Sequence, residues 1–341
     1  MKFFIRKSYI YIFFISLFSS IFLLLIERSL GLDWDYHVDA QTYAKDSILI
    51  SEAMLEDRGF ISLIGASYYH LVAIFFKQNI QLITIFNMII YSLTNVLIYD
   101  FFRYRIKSFL TDKLGLVLLF IFLFNPYRLH LSTTILKETL ITFLTTSLFY
   151  PTIITPIIIL FLISLRTAGI IYLLAFLDKK KIIICAFLFI TTILIFSQIQ
   201  VLVMDRIEFA NATNIIARES DSIPNWTELG FFGSFLRALI WPFIALTGLF
   251  IIISPSGFLL PIAIGSIINL FIMIRYKRSL IPFTLSLYLS LSMIAVNAPG
   301  YFAFTRYSYP LLSLAPLFIC KDINKITSDK NIRSFGFNNL Y

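Results

Sequence analysis

The sequence predicts an all-α, polytopic integral membrane protein of about ten transmembrane helices, forming one membrane domain over residues 1–341. Three observations predict this class. The chain is 59% hydrophobic and its mean hydropathy is +0.86. Only 14% of the residues are charged, against about 25% in a typical soluble domain. Many apolar runs approach or reach the roughly 20 residues that cross a bilayer, and they are continuous rather than alternating, which argues against a transmembrane β-barrel.

Hydropathy places the predicted spans along the chain. The first apolar run has no charge from Ser8 to Ile26 and no small-residue cleavage site, so we expect it to stay as a span rather than be removed as a signal peptide. The spans are predicted at residues 9–26, 79–101, 113–125, 134–150, 152–164, 167–177, 182–201, 258–275, 280–296 and 308–320. Several are short, so we expect them to be tilted, or partial and buried by their neighbours.

Lys and Arg collect on one side of these spans, which the positive-inside rule assigns to the cytoplasm. With the N-terminus inside, the cytoplasmic segments hold 17 of the 28 Lys and Arg residues but only five of the 19 Asp and Glu residues. Both termini are then cytoplasmic, and residues 321–341 form a short tail. Two apolar stretches, 61–76 and 236–254, are left out of this topology and are predicted to lie at the external interface or to re-enter from it.

This orientation accounts for the net charge of +9, so no nucleic-acid partner is predicted. The frequent Ile, Phe, Lys and Asn residues are typical of an AT-rich bacterial gene, which suggests the inner (cytoplasmic) membrane of a bacterium. Cys185 and Cys320 lie far apart in apolar runs and are predicted to be free thiols. The chain has no phosphate-binding glycine loop, no HExxH motif and no Cys/His cluster, so no metal site is predicted from a motif.

The external side is predicted to carry the chemistry. Two large external segments, residues 27–78 and 202–257, and the shorter external turns contain all three histidines and all three tryptophans. The stretch LDWDYHVDAQTY places three carboxylates among aromatic side chains. Asp39 is the first candidate for a general base acting on a hydroxyl group, with Asp35 or Asp33 as the fallback. Alternatively, these acids only solvate the loop.

A second candidate group lies in NPYRLHLSTTILKETL, residues 125–140. It places Arg128, His130, Lys137 and Glu138 at or just inside the membrane boundary, where ionisable groups are costly and usually functional. Glu138 is predicted to be a second acid or a metal ligand. The alternative is a snorkelling Lys137 beside a glutamate that the dipole of a helix N-terminus favours.

Arginines at external helix ends complete the candidates. A guanidinium binds phosphate in a fork geometry that an ammonium does not copy. The predicted substrate- and phosphate-binding residues are Arg166, Arg306, more weakly Arg128 and Arg237, and in addition Lys137, Tyr43 and His130. Arg166 and Arg306 could instead pair with a neighbouring acid or helix end, and Arg237 could reach lipid headgroups or a lipid-linked diphosphate. Acids for hydroxyl chemistry and arginines for phosphate together fit a polyprenyl-phosphate-linked sugar.

The order of these features resembles the GT-C superfamily of polytopic membrane glycosyltransferases. Asp39-Ala40-Gln41-Thr42-Tyr43 is similar to the acidic and aromatic motif of their first external loop, and Gly65-Ala66-Ser67-Tyr68-Tyr69 is similar to the amphipathic segment that follows. Lys137-Glu138 resembles a second acidic position. LRTAG at Arg166, Pro242-Phe243 and RYSYP from Arg306 to Pro310 resemble further elements. Unlike the larger members, this sequence has no external soluble domain after the last predicted span.

The resemblance implies an enzyme that moves a sugar from a polyprenyl-phosphate-linked donor to a glycan or glycolipid acceptor, with inversion, in cell-surface polysaccharide biosynthesis. Asp39 would deprotonate the acceptor, and the arginines would hold the departing phosphate. Some members use a divalent cation such as Mg or Mn and others use none, and this sequence leaves the cation open. It also leaves open the sugar, the acceptor, the linkage and the number of donor phosphates.

Two other functions stay open. The repeat-unit polymerases of O-antigen and capsule pathways resemble this chain in size, number of spans and outward-facing arginines, but they join whole lipid-linked repeats. The acid in the first loop favours the transferase. A flippase for lipid-linked saccharides, or another transporter, is the third possibility. Carriers usually place ionisable groups near the bilayer midplane, whereas here these groups collect in external loops and at helix ends.

Overall fold

The computed structural model describes residues 7–32, 37–59, 63–105, 113–166, 169–177, 182–211, 223–253, 260–275, 281–298 and 300–320. Helices dominate these residues and no strand occurs among them, so the all-α prediction is confirmed. The helices are α1 (Lys7–Ser29), α2 (Val38–Lys45), α3 (Ser47–Arg58), α4 (Leu63–His70), α5 (Ile80–Arg105), α6 (Lys113–Leu123), α7 (Pro126–Thr133), α8 (Glu138–Ser147), α9 (Thr155–Leu165), α10 (Gly169–Leu174), α11 (Ile182–Asn211), α12 (Gly230–Thr247), α13 (Phe250–Ile253), α14 (Leu260–Arg275), α15 (Ile281–Asn297), α16 (Tyr301–Ser313) and α17 (Ala315–Cys320).

Four helical stretches are long and apolar enough to cross a membrane: Lys7–Ser29, Ile80–Tyr104, Lys113–Thr133 and Thr227–Thr247. Shorter apolar helices lie at Thr155–Leu165, Ile183–Gln198, Leu260–Ile274 and Leu285–Asn297. These helices support a membrane protein. The count of ten spans and the orientation of the termini stay predictions.

Helices α1 and α5 pack side by side in opposite directions. The side chain of Asn95 donates to Ser16 Oγ at 3.0 Å. Nearer the start of α1, the Arg103 guanidinium donates to Ser8 Oγ at 3.0 Å, so the start of α1 lies beside the end of α5. The segment between the two helices therefore begins and ends at the same end of the helix pair. This agrees with the prediction that residues 61–76 do not cross the membrane.

The predicted span 134–150 is shorter in the structure because the chain breaks between α7 and α8. Asn87, two turns into α5, donates to the carbonyl oxygens of Thr134 at 2.7 Å and Leu136 at 3.1 Å. The Tyr68 hydroxyl donates to the carbonyl of Ile135 at 3.0 Å. Irregular backbone inside a membrane is tolerated where neighbouring protein satisfies its polar groups. These two side chains therefore stabilise an unwound segment just before Glu138.

Helix α12 lies in the stretch that was predicted to be interfacial, yet it meets the length and hydropathy requirements of a span. Its contacts connect it to two helix ends. Arg237 donates to the carbonyl of Ala298 at 3.1 Å, just after α15. Gly248, whose φ is +72°, lies against Ala263 near the beginning of α14. In the predicted topology both of these helix ends are external, which favours a helix that starts and finishes near one face.

Candidate active site

A buried ion cluster forms where α8, α9 and α16 meet. Glu138 is the first residue of α8. Its carboxylate Oε1 accepts hydrogen bonds from Arg166 Nη2 at 2.7 Å and from Arg306 Nε at 3.0 Å. The Glu138 side chain is 1% exposed and that of Arg166 is 8% exposed. Among the described residues, Glu138 Oε2 has no hydrogen-bond partner although it is buried. One carboxylate oxygen thus forms ion pairs with two guanidinium groups, and the other oxygen makes no hydrogen bond within the described residues.

Asp39 joins this cluster from the first external segment. It lies in the first turn of α2, and its Oδ2 is 2.5 Å from Arg306 Nη2. The Asp39 side chain is 45% exposed, whereas that of Arg306 is 15% exposed. Arg306 therefore bridges a buried carboxylate, Glu138, and an accessible one. We refer to Asp39, Lys137, Glu138, Arg166 and Arg306 as the ion cluster.

Lys137 gives the ion cluster a surplus of positive charge. It lies in the unwound segment before Glu138, and its ammonium is close enough to Arg166 and Arg306 to be affected by their charges. Its side chain is partly buried and forms no ion pair with a carboxylate in the described part of the chain. Three cations thus face two carboxylates. Such an arrangement favours binding of an anion.

Local structure explains why Arg166 points at Glu138. The residue ends α9 in an extended conformation, with φ −156° and ψ 122°. Its guanidinium lies over the ring of Tyr307, 4.8 Å from the centroid, which is a cation–π geometry. The Tyr172 hydroxyl lies 3.5 Å from Arg166 Nη1 and donates to the carbonyl of Tyr307. Tyr172 and Tyr307 therefore hold this guanidinium between α10 and α16.

Aromatic rings line the side of the cluster next to Asp39. Tyr43 is 2% exposed and packs edge-on against Tyr68, with ring centroids 4.8 Å apart. Burial, with Glu138 and Asp39 nearby, holds the pKa of Tyr43 well above its usual value, so the phenol stays neutral. Tyr69 packs on Tyr43 at 4.9 Å and is only half-buried. Of these rings, Tyr69 is the one with surface left for a ligand.

Two of the predicted phosphate-binding arginines lie elsewhere. Arg128 is buried and donates to the carbonyls of Phe122 and Leu123, both at 2.7 Å, at the end of α6. Arg237 is buried and donates to the backbone after α15, with its guanidinium 5.4 Å from the centroid of Trp241. Neither forms an ion pair with a carboxylate of the described chain. Both satisfy carbonyls that helix C-termini leave without partners, which is a structural role.

His130 also lies outside the ion cluster. Its Nδ1 is 2.6 Å from Glu27 Oε1, and its Nε2 is 2.9 Å from Nε2 of His37. Glu27 and His37 were not singled out from the sequence. Asp33 and Asp35, the fallback bases, lie outside the described residues.

The sequence thus pointed to all five residues of the ion cluster, and it included Tyr68 and Tyr307 only as parts of the motifs that carry the resemblance. It did not point to Asn87 or Tyr172, which help to position the cluster. Within the described ranges, no three His, Cys, Asp or Glu side chains are arranged as a set of metal ligands. Cys185 is a buried free thiol, as predicted, and the Cys320 side chain is outside the described residues. Compared with protein-family models, with curated proteins and with solved structures, the chain gave no match.

Proposed function

We propose that this protein is a membrane glycosyltransferase that moves a sugar from a polyprenyl-phosphate-linked donor to a glycan or glycolipid acceptor at the external face of the bacterial inner membrane. The observation that carries this proposal is the ion cluster. An accessible carboxylate, Asp39, forms an ion pair with Arg306, which is one of the three cations of the cluster. Another of these cations, Lys137, has no carboxylate partner in the described residues. The carboxylate suits deprotonation of a hydroxyl acceptor, and the cations suit stabilisation of a phosphate leaving group.

The proposed reaction uses each member of the cluster in one step. Asp39 takes the proton of the acceptor hydroxyl, and the acceptor oxygen forms a bond to the anomeric carbon. The bond from that carbon to the phosphate oxygen breaks, and the phosphate leaves with the electron pair. Arg306, Arg166 and Lys137 stabilise the charge that develops on it. Attack from the face opposite the phosphate gives inversion.

Glu138 is proposed to orient the two arginines rather than to exchange protons. Both guanidinium groups bind its Oε1, so a single carboxylate orients the N–H donors of both arginines. Preorganised donors of this kind need little rearrangement when charge develops in the transition state. A bound cation at the unused Oε2 would supply further charge stabilisation, and nothing in the reaction above requires it.

A repeat-unit polymerase is the second candidate, and one observation favours it. Arg166 and Arg306, from two later segments of the chain, both contact Glu138 directly, so arginines supply two of the three cations at the site. The chemistry is the same, namely attack of a sugar hydroxyl on a lipid-linked donor. The two functions differ in the size of the transferred saccharide and in the lipid-linked donor.

The test is the profile of surface glycan and lipid-linked intermediates in a strain whose only gene copy encodes Asp39→Asn. Glu56→Gln is the matched control, because Glu56 is an exposed acid of the same external segment, at the end of α3. We expect the surface glycan to be truncated or lost with Asp39→Asn and unchanged with Glu56→Gln, with equal amounts of both proteins in the membrane.

The accumulated intermediate separates the candidates. An incomplete saccharide on the lipid carrier supports single-sugar transfer, and a complete but unpolymerised repeat supports the polymerase. A wild-type glycan with Asp39→Asn, and again with Arg306→Ala, would contradict both. A complete repeat trapped on the cytoplasmic leaflet would instead support a flippase.

A further inference from the structure

A partly exposed aromatic ring lies beside the proposed general base. Tyr69 of α4 packs on Tyr43 of α2, with ring centroids 4.9 Å apart and an interplanar angle of 55°. Tyr43 follows Asp39 by four residues, so the two side chains share one face of α2. Burial raises the pKa of Tyr69, and the nearby carboxylate of Asp39 raises it further. The half-buried ring of Tyr69 therefore borders Asp39.

Three polar atoms around this ring are available to a ligand. Asp39 Oδ2 pairs with Arg306, whereas Asp39 Oδ1 makes no hydrogen bond to any described residue. The hydroxyls of Tyr43 and Tyr69 also have no hydrogen-bond partner in the described part of the chain, and neither oxygen is fully buried. A carboxylate oxygen only accepts, whereas a neutral phenol can donate as well as accept. The ring is thus bordered by an acceptor and by donors.

Contacts with neighbouring helices fix the part of α4 that carries Tyr69. Tyr68 packs on the other side of Tyr43, with ring centroids 4.8 Å apart, and its hydroxyl donates to the carbonyl of Ile135. The hydroxyls of Ser67 and Ser164 are 3.0 Å apart and connect α4 to α9. Because the ring of Tyr69 is held in place before a ligand arrives, little conformational freedom is lost on binding.

A saccharide ring suits this combination of groups. One face of a pyranose presents C–H groups that the neighbouring oxygens make slightly positive, and the face of an aromatic ring is the negative part of its quadrupole. The edge of the pyranose carries hydroxyls that donate and accept, so they can pair with Asp39 and Tyr43. A lipid chain could cover the aromatic ring, but it would leave these polar atoms buried without partners, which costs free energy.

We propose that Tyr69, Tyr43 and Asp39 form a binding site for the terminal sugar ring of the acceptor, which stacks on Tyr69. The inference rests on the proposed transferase function and narrows its acceptor to a saccharide. One hydroxyl of the stacked ring faces Asp39, and the Tyr43 hydroxyl donates to a neighbouring oxygen of the same sugar. Because Arg306 contacts Asp39 directly, a phosphate held by Arg306 lies next to this ring.

Sugar binding can be measured without a donor. The probes are the methyl pyranosides of glucose, galactose, mannose, rhamnose and N-acetylglucosamine, each added to the purified full chain in lipid nanodiscs. Saturation-transfer NMR reports which protons of the sugar contact the protein, and a titration gives the Kd. We expect at least one probe to receive saturation at the C–H groups of one ring face.

Three variants test the site. Tyr69→Leu removes the ring but keeps apolar bulk, and it should raise the Kd about two- to tenfold. Tyr43→Phe removes only a hydroxyl and should raise the Kd by about the same factor. Tyr11→Leu is the matched control, since Tyr11 is a 63% exposed tyrosine of α1, and it should bind as the wild type does.

The outcomes that overturn the site are specific. A wild-type protein that binds none of the probes overturns it, and so does an unchanged Kd in Tyr69→Leu. Saturation confined to the methyl group of the probe would show apolar adsorption instead of ring stacking, with the same consequence. If Tyr69→Leu lowers the unfolding temperature of the protein, the Kd of Tyr43→Phe decides alone.

The two proposals fail in different ways. A surface glycan truncated by Asp39→Asn, with pyranoside binding unaltered in Tyr69→Leu, overturns the sugar site and leaves the transferase standing. Pyranoside binding that depends on Tyr69, in a strain whose glycan is unchanged by Asp39→Asn and by Arg306→Ala, overturns the transferase and, with it, the role of this site in binding an acceptor.

Discussion

The Glu138 carboxylate determines how three helices meet at the ion cluster. It is almost completely buried and faces two guanidinium groups on other helices. A buried carboxylate between two cations adds less net stability than its attraction suggests, because all three groups have lost water. Removing the charge of Glu138 costs more, because Arg166 would then have no carboxylate beside it and Arg306 would have only Asp39.

We therefore predict that Glu138→Gln lowers the free energy of unfolding by about 3–5 kcal/mol, the usual cost of breaking a buried ion pair. Thermal unfolding of the purified protein in detergent measures this effect. Glu56→Gln, an exposed acid, should unfold as the wild type does. An unchanged unfolding temperature for Glu138→Gln would show that the two arginines do not depend on this carboxylate.

The residues of the site differ in how well the sequence reveals them. Glu138 and Lys137 are visible because charged side chains in an apolar stretch are rare and stand out. Arg128 and Arg237 show the same signal for another reason, since they satisfy helix carbonyls. The sequence cannot separate these cases because the partner of an arginine depends on which helices pack together. Glu27 and His37 escape for the same reason.

At the scale of elements, the unwound segment between α7 and α8 positions the chemistry. Lys137 lies within it and Glu138 directly follows it. Its carbonyls have donors in Asn87 and Tyr68, which come from two other helices. The break is invisible in the sequence because residues 134–137 contain neither Gly nor Pro, and the donors that make it possible lie 47 or more residues away.

We predict that Asn87→Leu destabilises the protein by about 1–3 kcal/mol for each carbonyl that it leaves without a donor. The proposed sugar transfer should fall as well, because Lys137 and Glu138 lose their fixed positions. Ser92→Ala is the control on the same helix, since the Ser92 hydroxyl donates within its own helix, to the carbonyl of Met88. Thermal unfolding and the glycan profile together test this. A variant with normal stability would mean that other groups satisfy the segment.

The sequence predicts the presence of the helices better than the positions of their ends. Long apolar runs predicted α1, α5 and α11, because hydropathy over about 20 residues is a strong signal. The predicted interfacial placement of the stretch that contains α12 depended on a count of charges. The contacts of Arg237 with Ala298 and of Gly248 with Ala263 support this interfacial placement. Hydropathy alone does not reveal such contacts between helices.

At the scale of the whole molecule, the buried neutral His37 makes stability depend on pH. Its pKa falls from 6.5 in the unfolded chain to about 3 in the folded protein. Between these values the unfolded chain binds a proton that the folded protein does not bind, so stability falls as pH falls. We predict a slope of up to roughly 1.4 kcal/mol per pH unit in this window.

Unfolding temperatures of the wild type and His37→Gln, measured between pH 7 and pH 4, check this dependence. The variant should lose stability less steeply on acidification, because it has no imidazole to protonate on unfolding. Parallel curves for the two proteins would contradict the lowered pKa of His37.

The antiparallel pairing of α1 and α5 predicts which positions share a face of the membrane. Glu56 and Lys113 are both exposed, one in the first external segment and one at the start of α6. In a chain with Cys185→Ser and Cys320→Ser, we predict that an impermeant thiol reagent labels Glu56→Cys in intact cells and labels Lys113→Cys only after permeabilisation. The reverse pattern would invert the proposed topology and place the ion cluster on the cytoplasmic side.

The contacts of α1 also constrain the order in which the protein is made. Its polar partners, Asn95 for Ser16, Ser132 for Ser20 and Thr133 for Glu27, are synthesised about 80 to 110 residues later. When α1 leaves the ribosome, its serines can bond only within their own helix, as Ser20 does to the carbonyl of Ser16. We therefore expect α1 to enter the bilayer before its polar partners in α5 and α7 have been synthesised. A nascent chain arrested before residue 133 would hold an inserted α1 that lacks these partners, and the ion cluster is completed later still, because it includes Arg306.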